Sequence, residues 1–216
     1  MLKQRWTKAV VFLASLAPVF WACWRAWNQD LTANPIEYIT RYTGDWTLRF
    51  IVFTLAVTPL RKLLGLPDLI RFRRMIGLFA FFYGTLHFVT YIWLDKFFDL
   101  ADMWKDVAKR PFITAGFTAF VLMLPLAVTS TKGWIRRMGG KRWQAVHRLV
   151  YFSGIAGVVH YYWLVKSDIR LPAMYGGFVG VLLLYRVAAF AVKRRSVAAS
   201  RTSVPAVSTG TVRDNT

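Results

Sequence analysis

Six apolar stretches, parted by short polar or basic segments, set the rhythm of this chain. The first follows the basic Met1 to Lys8 and runs to about Trp27; the second covers Asp45 to Leu64. The third covers Met75 to Leu94, the fourth Pro111 to about Ser130, the fifth Trp143 to Val165 and the sixth Pro172 to Val192. Several approach the ~20 residues an α-helix needs to cross a bilayer. The pattern predicts an all-α integral membrane protein, a six-helix transmembrane bundle forming one domain over 1–195. The tail, 196–216, fades into Ser, Thr, Ala and Val and is expected to be disordered and cytoplasmic. Asn28 to Gly44, with its Asn34-Pro35 breaker, is expected as an outside loop. Lys132 to Arg142 is expected as an inside loop with a flexible Gly139-Gly140.

The segment Asp95 to Arg110 has a different pattern. Asp95, Asp99, Asp102 and Asp106 form one stripe of a helix, opposite Phe97, Leu100, Trp104 and Val107. This predicts an interfacial helix on the outer leaflet, a position compatible with docking an extracytoplasmic partner.

Charge orients the bundle. The formal net charge is +19, and sixteen Lys and Arg flank the helices on one side against eight on the other. By the positive-inside rule both termini are cytoplasmic. Basic residues gathered in short loops between apolar runs argue for membrane lipid as the partner and against nucleic acid. The N-terminus has the outline of a signal peptide, but bulky Trp21 beside Ala22-Cys23 argues that the segment is retained as the first span. The single cysteine, Cys23, excludes an intrachain disulfide.

All three histidines, His87, His147 and His160, lie in predicted spans, where ionisable groups are costly and functional. Imidazole is a common axial ligand of haem, and no Cys-x-x-Cys-His attachment motif is present, so a b-type haem is the expectation. Depth pairs His87 with His160 near the outer face, where they can bracket one porphyrin. His147 lies toward the inner face, level with Arg73 and Arg74 rather than with a histidine. There Arg73, Arg74 and Arg148 could take propionates or a phosphate-bearing cofactor. A second haem at that level is left open. His147 and His160 are 13 residues apart, which puts them ~20 Å along and ~140° around an ideal helix. Either the helix is distorted between them or the two rings serve different faces.

A histidine-based, proton-coupled transporter is the competing expectation. Against it, every Asp and Glu falls in a predicted loop or at a helix edge, and no repeat is evident between the two halves. A nicotinamide or FAD domain is excluded, because no strand–helix Gly-x-Gly-x-x-Gly unit is present.

Three segments carry a resemblance: RRMIGLFAFFYGTLHFVTYIW from Arg73, RPFITAGF from Arg110, and LAVTSTKGWIRRMGGKRWQAVHRLVYFSGIAGVVHYYWLVKSD from Leu126. They resemble the MsrQ family, haem-binding membrane subunits of a periplasmic methionine-sulfoxide reductase system, within the ferric-reductase-like transmembrane superfamily. The resemblance implies an electron conduit in the bacterial inner membrane, carrying heme b and FMN and fed by the quinone pool or a cytoplasmic flavin reductase. It implies a heterodimer with a periplasmic molybdopterin-containing reductase subunit, which acts on the sulfoxide. His87, His147 and His160 match the family's histidines, whereas Arg74 stands where the wider superfamily has a fourth. For FMN the expected site is the inner basic surface of Arg73, Arg74 and Arg142, because flavin phosphate seeks fixed positive charge.

Overall fold

The computed structural model describes residues 2–202, with side chains from 6 to 196. All regular structure among the described residues is helical: α1 Leu2–Trp27, α2 Pro35–Leu63, α3 Arg73–Thr90, α4 Leu100–Lys109, α5 Pro111–Val128, α6 Lys132–His147, α7 Leu149–Leu164 and α8 Arg170–Thr202. The chain divides into two compact units, 1–182 and 183–216, the second beginning within α8. Of the expected tail, 203–216 lies outside the described residues.

Among the described residues, four helices are long and apolar enough to cross a membrane: Trp6–Trp27, Arg73–Asp95, Pro111–Val128 and Arg170–Ser196. With Phe20, Trp21, Phe53, Phe152 and Trp163 about half exposed or more, their surroundings are lipid, and the chain is a membrane protein. Two expected spans fall outside that set. The second contains Asp45 and Arg49, and the fifth is cut short, α7 having 16 residues.

Two loop expectations give way to helix, and one expected helix is interrupted. Asn34-Pro35 starts α2 rather than breaking it: Asn34 accepts from the Glu37 amide at 3.2 Å and Pro35 takes the first turn. The basic segment 132–142 is helical, with a kink at Gly139, whose φ of 72° and ψ of 155° leave the helical region. The expected continuous helix from Trp143 to Val165 is broken at Arg148 by tight turns from Arg148 N to Ala145 O (3.1 Å) and Tyr151 N to Arg148 O (3.0 Å). His147 therefore ends one helix and His160 belongs to the next, which removes the angular conflict.

Two helix pairs build the bundle, α2 along α3 and α5 along α7. Without a hydrophobic driving force in lipid, close approach and interhelical hydrogen bonds hold such pairs. Buried Ser153 of α7 donates to the Ala119 carbonyl of α5 at 2.9 Å. Gly84 of α3 leaves room for Met123 of α5, whose Cε a Cβ would meet at 2.8 Å. Phe50, Ile51, Leu55, Phe79, Tyr83 and Met123 form the core, with Phe50 and Tyr83 stacked at 5.2 Å.

Tyr83 also secures α1. Pro18 interrupts the hydrogen-bond ladder of that helix, and the Tyr83 hydroxyl enters the gap. It donates to Ser15 O at 2.8 Å and accepts from Val19 N at 3.2 Å, two groups that would otherwise bond each other. Tyr42 adds a bond to Pro18 O at 3.0 Å. Tyr83→Phe should therefore cost about 1–3 kcal/mol, by leaving two buried backbone groups without their partner. Thermal unfolding in detergent checks this; an unchanged midpoint would mean that α1 is held by its apolar contacts alone.

Candidate functional site

His87 on α3 and His160 on α7 face each other across the bundle. Their ring centroids lie 6.0 Å apart with planes at 71°. Each ring is fixed by the partner helix of its own pair. His87 Nδ1 bonds the Thr40 carbonyl of α2 at 2.8 Å, and His160 Nδ1 bonds the Phe112 carbonyl of α5 at 2.6 Å. A carbonyl can only accept, so Nδ1 carries the proton in both rings and Nε2 keeps its lone pair.

A glycine one turn beyond each carbonyl makes the ring's floor. A Cβ on Gly44 would come within 3.2 Å of the His87 ring, and one on Gly116 within 2.7 Å of His160 Nδ1. Any side chain at these positions would push the imidazole aside.

The two halves of this arrangement correspond. Gly44 and Gly116 are 72 positions apart, and His87 and His160 are 73 apart. The motif Gly-x-x-His occurs twice, as Gly84 to His87 and Gly157 to His160. Contacts repeat as well: a Cβ on Gly84 would meet Phe120 of α5 at 3.8 Å, and one on Gly157 would meet Leu48 of α2, the matching position, at 3.0 Å. The α2–α3 and α5–α7 pairs thus repeat these features at a displacement of 72–73 residues. The expectation of no repeat between halves is overturned. So is the expectation that carboxylates keep to helix edges, since Asp45 sits well inside α2.

The histidines open onto a cavity of ≈ 670 Å³ lined by all four of these helices. That volume is in the range of a cofactor pocket. Leu100, Met103, Trp104 and Val107 of α4 line it too, as a lid, and Trp104 packs 6.0 Å from Phe117. A π-helical turn, Tyr91–Asp95, and two residues in the left-handed region, Phe97 (φ 48°) and Phe98 (φ 63°), lead from α3 into this lid.

The lid's acidic stripe is largely engaged within the protein. Lys96, 10% exposed at its side chain, bonds Asp102 at 2.6 Å and Asp106 at 2.5 Å. Arg110 reaches Asp106 at 3.3 Å, and Asp99 caps the helix through the Asp102 amide at 2.9 Å. Phe97, Phe98, Leu100 and Trp104 are the exposed face.

His147 stands apart. It stacks on Trp143 at 3.8 Å and bonds its own helix at Trp143 O (3.1 Å), with Nε2 3.5 Å from the Ser130 hydroxyl. Arg73 and Arg74 open α3, Arg142 lies on α6 and Arg148 at the α6–α7 break; none of them lines the His87–His160 cavity. Arg73 lies within electrostatic reach of His147.

The chain has counterparts among known proteins. Residues 43–158 match the family described as "Ferric reductase like transmembrane component", a span that holds α3 and α5 whole, most of α2 and the first part of α7, ending just before His160. The chain is 56% identical over 182 residues to "Protein-methionine-sulfoxide reductase heme-binding subunit MsrQ" of Herminiimonas arsenicoxydans, covering 83% of this chain and 84% of that one. It is 50% identical to the protein of that name in Caulobacter vibrioides, with 82% and 85% covered, and 48% identical to that of Rhodospirillum rubrum, with 90% and 93% covered. The chain belongs to the MsrQ family.

The lid generates a pH dependence. Hydrogen bonds donated to Asp102, then to Asp106, push the Lys96 ammonium above its ordinary range, and the bond from Lys96 holds the Asp102 carboxyl below its own. A depressed carboxyl contributes stability above its unfolded value, near pH 4, and loses it as pH falls through the folded value. A raised lysine contributes below about pH 10 and loses it in stronger alkali. Hydrogen-exchange protection of Leu100 to Lys109 should stay level from about pH 5 to 9 and fall below about pH 4. Lys96→Met should remove the level region. Protection unchanged at pH 3 would show that the ion pairs do not hold the lid.

Proposed function

We propose that this chain is a membrane b-type cytochrome that carries electrons across the bacterial inner membrane. They pass from a quinol or a cytoplasmic flavin reductase to a periplasmic, molybdenum-containing methionine sulfoxide reductase subunit. The observation that carries the reading is the His87–His160 pair. Two metal–nitrogen bonds of about 2 Å, plus the distance from each nitrogen to its ring centre, separate facing imidazole centroids by about 6 Å. The rings stand at 6.0 Å. Their Nδ1 protons are committed to backbone carbonyls, which is how histidine ligands are oriented. The cavity volume and the glycine floors fit a flat macrocycle between the rings. When bound, haem supplies a one-electron couple. The protein supplies the two ligand nitrogens, holds them at fixed spacing and shields them beneath α4.

One haem is the proposal. At the His147 level, the position matching it across the repeat is Arg74, and Trp143 already covers the ring. The exposed Arg74, Arg142 and Arg148 with Arg73 suit FMN phosphate or an electron donor with acidic character. We read α2 and α7 as the two further spans, giving six in all with both termini cytoplasmic. α7 alone is ~24 Å long, short of a ~30 Å hydrocarbon core, and a final stretch of α6 would complete the crossing.

The proton-relay reading gains Asp45 on the cavity wall, but it loses the histidines. Each Nδ1–H ends on a backbone carbonyl, which cannot pass a proton onward.

Reduced-minus-oxidised spectra and haem quantification test the proposal. His87→Ala and His160→Ala should each lose the b-type bands, and Gly116→Ala should lose most of the haem. His147→Ala should keep about one haem per chain. An unsubstituted chain without b-type bands, or His87→Ala with full haem content, would end it.

A further inference from the structure

The repeat that relates the two histidines and their glycines does not extend to the cavity's two edges. Under the 72–73 residue displacement Asp45 corresponds to Phe117 and Tyr161 to Phe88. Phe88 and Phe117 touch, with ring centroids 6.1 Å apart. Their counterparts touch as well: the Asp45 carboxylate interacts with the Tyr161 hydroxyl across the α2–α7 seam. All four residues line the cavity. A symmetric cradle is therefore closed by an aromatic pair on one edge and by a carboxylate and a phenol on the other.

The carboxylate's charge is not cancelled at contact. Among the described residues Asp45 has no ion pair within 4.0 Å. Arg41 and Arg49, one turn to either side, are both engaged elsewhere. Arg41 pairs with Glu37 at 2.8 Å. Arg49 donates to the Tyr175 hydroxyl at 3.0 Å and lies over the Trp46 ring at 4.6 Å. The field of Asp45 thus reaches the cavity interior, where the low dielectric weakens it little.

We propose that Asp45 is a redox-tuning residue: its carboxylate, held by Tyr161 at one edge of the cavity, stabilises the oxidised form of the bound haem and lowers its midpoint potential. This rests on the haem reading above. An added electron is disfavoured beside a fixed negative charge, so neutralising Asp45 must raise the potential. The corresponding residue at the other edge, Phe117, is uncharged.

Spectroelectrochemical titration of the purified holoprotein tests the idea. Asp45→Asn should keep the haem content and b-type bands and favour the ferrous form roughly tenfold, a rise of about 59 mV for one electron. Tyr161→Phe, which keeps the charge, should shift the potential less. If Asp45→Asn does not assemble, Asp45→Ser asks the same question with a smaller uncharged residue. An unchanged or lowered potential in a haem-replete Asp45 variant overturns the proposal and leaves the haem reading standing. A shift from Tyr161→Phe as large as that from Asp45→Asn overturns it too, assigning the effect to the hydroxyl. An unsubstituted chain that binds no haem overturns both.

Discussion

Each imidazole of the His87–His160 pair donates Nδ1–H to the carbonyl of a neighbouring helix and lies over a glycine four residues further on. The remainder of the bundle follows from making this contact twice. A helix carbonyl already accepts from the amide four residues on, and its second lone pair is free for a side chain only where nothing blocks the approach. Gly44 and Gly116 provide that access. Reaching it requires α3 to lie close along α2 and α7 close along α5, and the small residues Gly77, Gly84, Ser153 and Gly157 meet that requirement. Backbone geometry, rather than side-chain packing, therefore sets where the two Nε2 atoms stand.

Much of this was legible in the sequence, and what was missed has physical causes. Six apolar runs point to a helical membrane protein, and the histidines within them to a candidate site, without help from tertiary contacts. Pairing His87 with His160 follows from helix rise alone, and the 6.0 Å centroid separation agrees with it. The floors were missed because a glycine in an apolar helix ordinarily means packing, and Gly44 fell in a segment read as loop. Asn34-Pro35 was ambiguous by nature, since the same pair breaks one helix and caps the next. The break at Arg148 had one signal, a lone arginine in an apolar run, and the conflicting angle between His147 and His160 was its consequence. The repeat had a faint trace in the two Gly-x-x-His motifs, too short to outweigh the dissimilar residues around them.

The acidic stripe before Arg110 shows a different limit. Period and composition gave an amphipathic helix, and α4 is one. What they could not give is which face turns inward. Lys96, in the turn before the helix, draws Asp102 and Asp106 toward itself, while Leu100, Met103, Trp104 and Val107 line the cavity and Phe97 and Phe98 are left exposed. Buried charge is tolerable where it is paired and hydrogen-bonded. The lid can therefore present Phe97, Phe98 and Trp104 to a lipid interface while its carboxylates stay satisfied.

The same logic separates the lower level of the repeat from the upper one. Fourteen residues beyond each floor glycine, at the level of His147, stand Thr58 and Ser130, both with side chains where the upper level has none. Ser130 sets its hydroxyl 3.5 Å from His147 Nε2, the nitrogen that faces open cavity in the upper pair. Arg74 replaces the second imidazole, and a guanidinium stays protonated in proteins and has no lone pair to give a metal. Trp143 then stacks on His147 at 3.8 Å, where a macrocycle would need the space. The lower level retains one potential ligand and none of the access that makes the upper pair a cradle. What separates the two levels is glycine at two helix positions and the nature of one residue on α3.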